Sequence, residues 1–257
     1  TEPQSGSDSG QIRTTAVLDG DEWVINGSKA FITNSTYAST FLVAVKTDTE
    51  AKGSRGISIL IVPRDVPGFE IGKPEEKMSN RSSYSCPLSF TDVRVPKENL
   101  VGELNRGFPL FMKCVDEGRV AIAAIAVGMA QGVLERAVKY SKERVTFGKP
   151  ICENQAISFK LAEMATDIEV ARAMLYQTAR MIDNGVPFSK EATMTKMFCS
   201  EMCVRVCDQG LQILGGYGLC NDYEVERFYR DAKLLTIGEG TSEICRMVIG
   251  RHVLKES

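Results

Sequence analysis

The chain has 257 residues, 31 Lys and Arg against 33 Asp and Glu, a formal net charge of −2, and 43% apolar residues. That balance excludes a disordered or fibrous chain and leaves room for one large domain or two ordinary ones with real cores. It carries no basic block, which argues against broad electrostatic binding of nucleic acid, and no uninterrupted apolar run of about 18 residues, which argues against a membrane span.

In chain order, residues 1–11 are rich in Ser and Gly and read as a loop. They show no initiator Met, basic n-region or apolar h-region, so the chain reads as beginning inside something longer. Residues 12–100 read as strands. AVLDGDEWVINGSKAFIT alternates apolar and polar residues around Asp19-Gly20 and Asn26-Gly27, two hairpin-turn signals. TFLVAVKT and GISILIVP are short β-branched runs, and LSFTDVRVP alternates again up to Pro96. An antiparallel barrel or sandwich fits this spacing.

Two composition regimes meet near residue 103, and from Arg106 onward the period becomes helical. The first long helix, over 114–144, places Ile122, Ile125, Ala126, Met129, Val133 and Ala137 on one broad face. A second covers 154–183 and stops at Asn184-Gly185. Pro187 opens a third that runs to Gly215-Gly216. A short amphipathic segment over 223–237 precedes a last helix after Gly238. The expected fold class is α+β: a β domain over 1–102, then a four-helix domain over 103–257.

The eight cysteines show no C-x-x-C and no Cys/His pair at zinc spacing; the single histidine is His252. Cys199, Cys203 and Cys207 share one helix face and read as reduced, buried, metal-free residues in a reducing, intracellular compartment. No metal is expected.

Four segments carry possible chemistry. IGEGTSEI sets Glu239 between two glycines before a helix N-terminus. Glycines let a ligand approach the backbone, and the carboxylate there can act as a base; an acidic residue favoured by the helix dipole is the plainer alternative. QILGG ends a helix and reads equally as a helix stop. In ERVTFGK, Arg144 offers a fork for phosphate and Phe147 a flat apolar face, or else a solvent-facing helix end. TEPQSGSD can wrap backbone around a polar ligand or be a flexible loop.

Their joint occurrence in this order, with FITN, DVRVP, DEGR and QAISFKLAEM, resembles the acyl-CoA dehydrogenase family of flavoproteins along nearly the whole chain. The resemblance implies the family's middle β domain and C-terminal four-helix domain, without its N-terminal helical domain. It implies that Glu239 is the base that takes the α-proton of an acyl-CoA thioester. Hydride then leaves the β-carbon for N5 of FAD, giving a trans-2-enoyl-CoA, with electrons passed to an electron-transfer flavoprotein. Thr1, Phe31, Ile32 and Thr33 take positions of flavin contacts, as do Thr241, Ser242 and Glu243 along the FAD tail. Arg144, Thr146, Phe147, Gln155, Gln212, Ile213, Leu214, Gly215 and Gly216 take positions of FAD contacts made across a dimer interface. Ser7, Asp116, Arg119 and Gly240 take substrate positions. A homotetramer, a role in fatty acid β-oxidation, and a bacterial cytoplasmic or mitochondrial matrix location follow from the same resemblance.

The chain also departs from the family pattern. Some relatives carry the base on the first long helix, where this chain has Gly118; Gly238 replaces a frequent Tyr, and Ser79 a usual Gly. Gly118 is shared with short-chain members, which favours short to medium acyl groups. Glu117 reads as solvated surface. A different class of function remains open: a catalytically silent scaffold or partner subunit of the same fold. Within the enzymes, an acyl-CoA oxidase or enoyl-CoA reductase remains open too.

Overall fold

The computed structural model describes residues 1–256, and the chain forms two compact units, Thr1–Cys114 and Val115–Ser257. The first contains seven strands: β1 (Thr15–Asp19), β2 (Glu22–Thr33), β3 (Thr40–Lys46), β4 (Ile57–Pro63), β5 (Phe69–Ile71), β6 (Ser85–Pro96) and β7 (Leu100–Val101). They form one sheet in the order β5-β6-β2-β1-β3-β4-β7. Every pairing is antiparallel except β1 with β3, which meet in parallel at Thr15 and Lys46. The short β5 and β7 lie at the two ends of this order and have no clear counterpart in the sequence pattern.

Alternation decides which face is buried. Trp23 and Ile25, then Phe41, Val43 and Val45, then Leu88, Phe90, Val93 and Val95, all point into one apolar cluster. Phe69 of β5 meets Phe41 of β3 edge-on at 4.9 Å and stacks on Phe90 of β6 at 5.0 Å. β5 and β3 are separated by three strands in the sheet order, so the sheet curls over its own core.

The two turn signals have different fates. Asp19 pairs with Glu22 around Gly20-Asp21, and Gly20 has φ +63, as a glycine-first two-residue hairpin requires. Asn26-Gly27 is not a turn; it lies inside β2, where the register with β6 shifts between Ile25 and Gly27. The cause is a bulge in β6. Asp92 adopts φ +49, and its backbone and side chain bond the Asn26 side chain at 2.9 and 3.0 Å. A β-carbon at Gly27 would stand 2.6 Å from the Thr14 α-carbon, so close backbone approach explains this glycine.

The second unit holds the remainder of α1 (Gly107–Glu143), a small hairpin β8 (Val145–Thr146) and β9 (Lys149–Pro150), then α2 (Gln155–Asp183), α3 (Ser189–Leu214), α4 (Val225–Leu235) and α5 (Ser242–Glu256). The third helix begins at Ser189, after Phe188, and not at Pro187. The buried stripe of α1 is Ala123, Ala126, Val127, Ala130, Val133 and Ala137, whereas Ile125 is 49% exposed. At about 100° per residue, one position carries Ile125 off the face that small alanines bring close to its neighbours. Contact with α3 is tight: a β-carbon at Gly210 would stand 2.2 Å from Val133 Cγ1.

Cys199, Cys203 and Cys207 are buried in this core. Burial pushes the Cys199 thiol up to about 12, and a hydrogen bond with Cys203, followed by burial, pushes the Cys207 thiol well above its ordinary value. α1 also contains a window apolar enough, by length and composition, to cross a membrane, with 33% of that window buried. The absence of an uninterrupted apolar run therefore does not by itself exclude a span here; the alanine stripe packed in the four-helix core accounts for the buried third of the window.

Candidate active site

Glu239 sits in the link between α4 and α5, flanked by Gly238 and Gly240, and is exposed. Its φ is +54, and Gly240 follows at +93. Of the eight non-glycine residues at positive φ among the described residues, four are Asn or Asp, which tolerate that region. The other four are Phe31, Phe147, Glu224 and Glu239. Three of those four coincide with positions expected to touch flavin or substrate. Strain held by surrounding structure is a common property of working sites.

The packing around Glu239 accounts for its conformation. A β-carbon built at Gly118 on α1 would lie 3.1 Å from Glu239 Oε2 and 3.3 Å from its Cδ, so the missing side chain at 118 makes room for the carboxylate. Arg119, 2% exposed, donates to the Glu239 carbonyl at 3.4 Å, to Asp116 at 2.7 Å and to Thr193 at 2.9 Å. The two expected substrate positions Asp116 and Arg119 are thus an ion pair with each other. Lys196 donates to the carbonyl of Gly240 at 2.6 Å. The next residues begin α5: the Thr241 hydroxyl caps its first turn by accepting from the Ile244 N–H at 3.3 Å.

A hollow of about 520 Å³ is lined by Arg144, Thr146, Ile213, Leu214, Gly215 and Gly216, six of the nine positions expected to hold a neighbour's flavin. Tyr140, Ile151, Tyr217 and Cys220 complete it, and the Arg144 guanidinium lies 5.6 Å from the Tyr217 ring centre. Gln155, Gln212 and Phe147 are exposed and lie outside this lining. Phe147 and Gly148, at φ +51 and +80, form the turn of the β8–β9 hairpin, and Phe147 is fully exposed. A second hollow, of about 420 Å³, is lined by Thr241, Ser242 and Glu243 together with Lys233 and Arg205. The buried Ser242 hydroxyl has no partner there. An orphaned hydroxyl, a helix start and two cations suit the polar tail of a dinucleotide. The Glu243 carboxyl is held below its ordinary range by backbone and Thr241 hydrogen bonds.

In the first unit, Thr1, Phe31, Ile32 and Thr33 come together: the Thr1 carbonyl accepts from the Ala30 N–H at 3.0 Å, beside Phe31. Phe31 is 62% exposed at φ +57, where the β2–β6 register shifts between Lys29 and Ile32. Ser7 is exposed in the loop that Thr1 begins. What anchors this loop is a pair the sequence pattern did not single out. Glu2, buried, meets Lys29 at 2.7 Å and accepts the backbone N–H groups of Arg13 and Thr14. Burial alone would raise the Glu2 pKa; the hydrogen bonds from Lys29, Thr14 and Arg13 outweigh it and hold it at about 2. Lys196 was likewise missed, although it lies three residues before Cys199 on the apolar stripe of α3, where a charge is out of place.

The acyl-CoA dehydrogenase middle-domain model matches residues 1–93, and the C-terminal-domain model matches residues 105–254. "Probable acyl-CoA dehydrogenase YngJ" of Bacillus subtilis (strain 168) is 50% identical over 99% of this chain and 67% of that protein. The "Caffeyl-CoA reductase-Etf complex subunit CarC" of Acetobacterium woodii is 45% identical over the whole of this chain and 67% of that protein. The solved butyryl-CoA dehydrogenase of Megasphaera elsdenii superposes with a TM-score of 0.97 at 44% identity, over 99% of this chain and 66% of that one. The chain therefore belongs to the acyl-CoA dehydrogenase family, oxidoreductases acting on CH–CH bonds, and spans about two thirds of the length of these relatives.

Proposed function

We propose that this chain carries the base and flavin-binding parts of an FAD-dependent dehydrogenase that converts an acyl-CoA to its trans-2-enoyl-CoA. The observation that carries the reading is Glu239: an exposed carboxylate in a strained left-handed turn, with its side chain fitted against Gly118. An α C–H beside a thioester is a weak acid, and its removal needs a positioned carboxylate and a donor to the carbonyl oxygen. Glu239 takes the α-proton on its carboxylate, and its own backbone N–H is the donor to the thioester oxygen. Gly240 lines the same substrate position, and Arg119 with Asp116 holds the backbone beneath it.

FAD, when bound, supplies the acceptor for the β-hydride. Phe31, Ile32 and Thr33 would hold its ring, Thr241 to Glu243 its tail, and the residues lining the Arg144–Gly216 hollow the flavin of a second copy. The orphaned Ser242 hydroxyl supports that fit. An electron-transfer flavoprotein is the proposed electron partner, supported by the Etf complex in the name of the Acetobacterium relative. A short acyl chain is the proposed substrate class, supported by the butyryl-CoA dehydrogenase likeness and by Gly118.

The test is Glu239→Gln in the full-length, flavin-loaded protein, with Glu117→Gln as control. Flavin reduction by butyryl-CoA under anaerobic conditions is expected to slow by about 10²–10⁴-fold in the first and not at all in the second. A wild-type rate in Glu239→Gln, or failure of Glu117→Gln instead, removes Glu239 from the role. A purified full-length protein with no flavin absorption favours the silent-scaffold alternative.

A further inference from the structure

Lys196 is the largest fully buried side chain among the described residues, inside α3 with none of its surface exposed. The proton transfer itself gives it no part. Its ammonium donates to the Gly240 carbonyl at 2.6 Å, an oxygen that the Cys245 thiol also approaches, at 3.8 Å. Arg119, equally buried, takes the carbonyl of the preceding residue, Glu239. Two buried cations thus hold two successive carbonyls, and these belong to the residues at φ +54 and +93. A glutamate does not keep a left-handed backbone unaided, and a charge-assisted hydrogen bond is a strong restraint. Burial lowers the Lys196 pKa; Cys245 opposes that shift, Arg119 adds to it, and Glu239 and Glu201 oppose it. The lysine is therefore kept in an unfavourable place by contacts around the turn that carries the carboxylate.

We propose that Lys196 is a positioning residue for the base: by holding the Gly240 carbonyl it fixes the turn that aims the Glu239 carboxylate. The proposal rests on reading Glu239 as the base, and its test separates the two. In the full-length, flavin-loaded protein, Lys196→Met keeps the side-chain length and removes the donor; Lys196→Gln keeps an N–H donor without the charge. Amide hydrogen exchange of peptides covering residues 236–245 is expected to rise about tenfold or more in Lys196→Met and to return part of the way in Lys196→Gln. Peptides elsewhere in α3 keep their exchange. Butyryl-CoA binding, read from the flavin spectrum, is expected to stay unchanged while the limiting rate of flavin reduction falls by about 10²-fold, since a displacement of about 1 Å suffices for that.

Unchanged exchange at 236–245 overturns the proposal. So does a rise spread evenly over α3 with an unchanged limiting rate in the folded fraction, which marks a merely structural lysine. A local rise in exchange, in a protein whose wild type is not reduced by butyryl-CoA, leaves the positioning role standing and defeats the substrate reading. Should Lys196→Met fail to fold, Lys196→Leu, which also removes the donor, carries the same measurements: raised exchange at 236–245 with a slowed limiting rate supports the proposal, and wild-type values for both overturn it.

Discussion

The carboxylate of Glu239 occupies the space that a side chain at Gly118 would fill: a β-carbon there would stand 3.1 Å from Oε2. The two positions lie 121 residues apart in the numbering, yet they address the same point. A base mounted at 118 and a base mounted at 239 are therefore alternatives in space, and this chain leaves the first position empty of any side chain.

Gly118→Ala follows from that contact with opposite signs on stability and rate. The atom it crowds is the far end of a flexible side chain, so the fold yields easily. Replacing a helical glycine by alanine favours α1 by up to about 1 kcal/mol. The displaced carboxylate no longer meets the α-carbon, so flavin reduction is expected to slow by about tenfold or more. Thermal unfolding and anaerobic reduction by butyryl-CoA, measured on the same preparation, check the pair. A raised rate shows that Glu239 does not need the space.

Phe147 gives a second split. It stands fully exposed at φ +51 in a two-residue turn, where glycine is the residue of least strain. Phe147→Gly is expected to leave the hairpin intact or relieve it by roughly 1 kcal/mol. If the ring covers a neighbour's flavin, the same change weakens flavin retention and shifts the assembly toward smaller species. Light scattering with flavin absorbance reads both. A wild-type monomer that holds FAD stoichiometrically defeats the expectation of a homotetramer.

The Glu2–Lys29 pair predicts an acid limit for the first unit. The Glu2 carboxyl titrates at about 2 in the fold against 4.5 as its reference. A depressed folded pKa means that its contribution is complete above about pH 4.5 and lost as the pH falls toward 2. Urea unfolding between pH 5 and 2.5, followed at the single tryptophan, Trp23, is expected to show this loss in the wild type and a smaller one in Glu2→Gln. Lys29→Met, which strands a buried carboxylate, is expected to destabilise by about 3 kcal/mol at neutral pH. Equal acid sensitivity of wild type and Glu2→Gln shows that the pair is not what titrates.

Period and punctuation in the chain were enough to place the strands β1, β3, β4 and β6, the strand character on either side of Asn26-Gly27, and the long helices with the short amphipathic segment among them, because 2-residue and 3.6-residue patterns are local properties of the sequence. The segment containing Glu239 stood out for the same reason, since two glycines around a carboxylate are a local signal. What tertiary structure alone decided is what depends on partners distant in the chain. Asn26-Gly27 has the composition of a turn, but it lies inside a continuous strand, opposite the β6 bulge at Asp92 and close against Thr14. Ile125 has the hydropathy of a core residue, but the alanine stripe beside it sets the rotation of α1. Lys196 and Glu2 are ordinary charged residues until folding buries each against a group 44 or 27 residues away. A buried charge owes its role to the partner it meets, and that meeting is set by packing, not by neighbours along the chain.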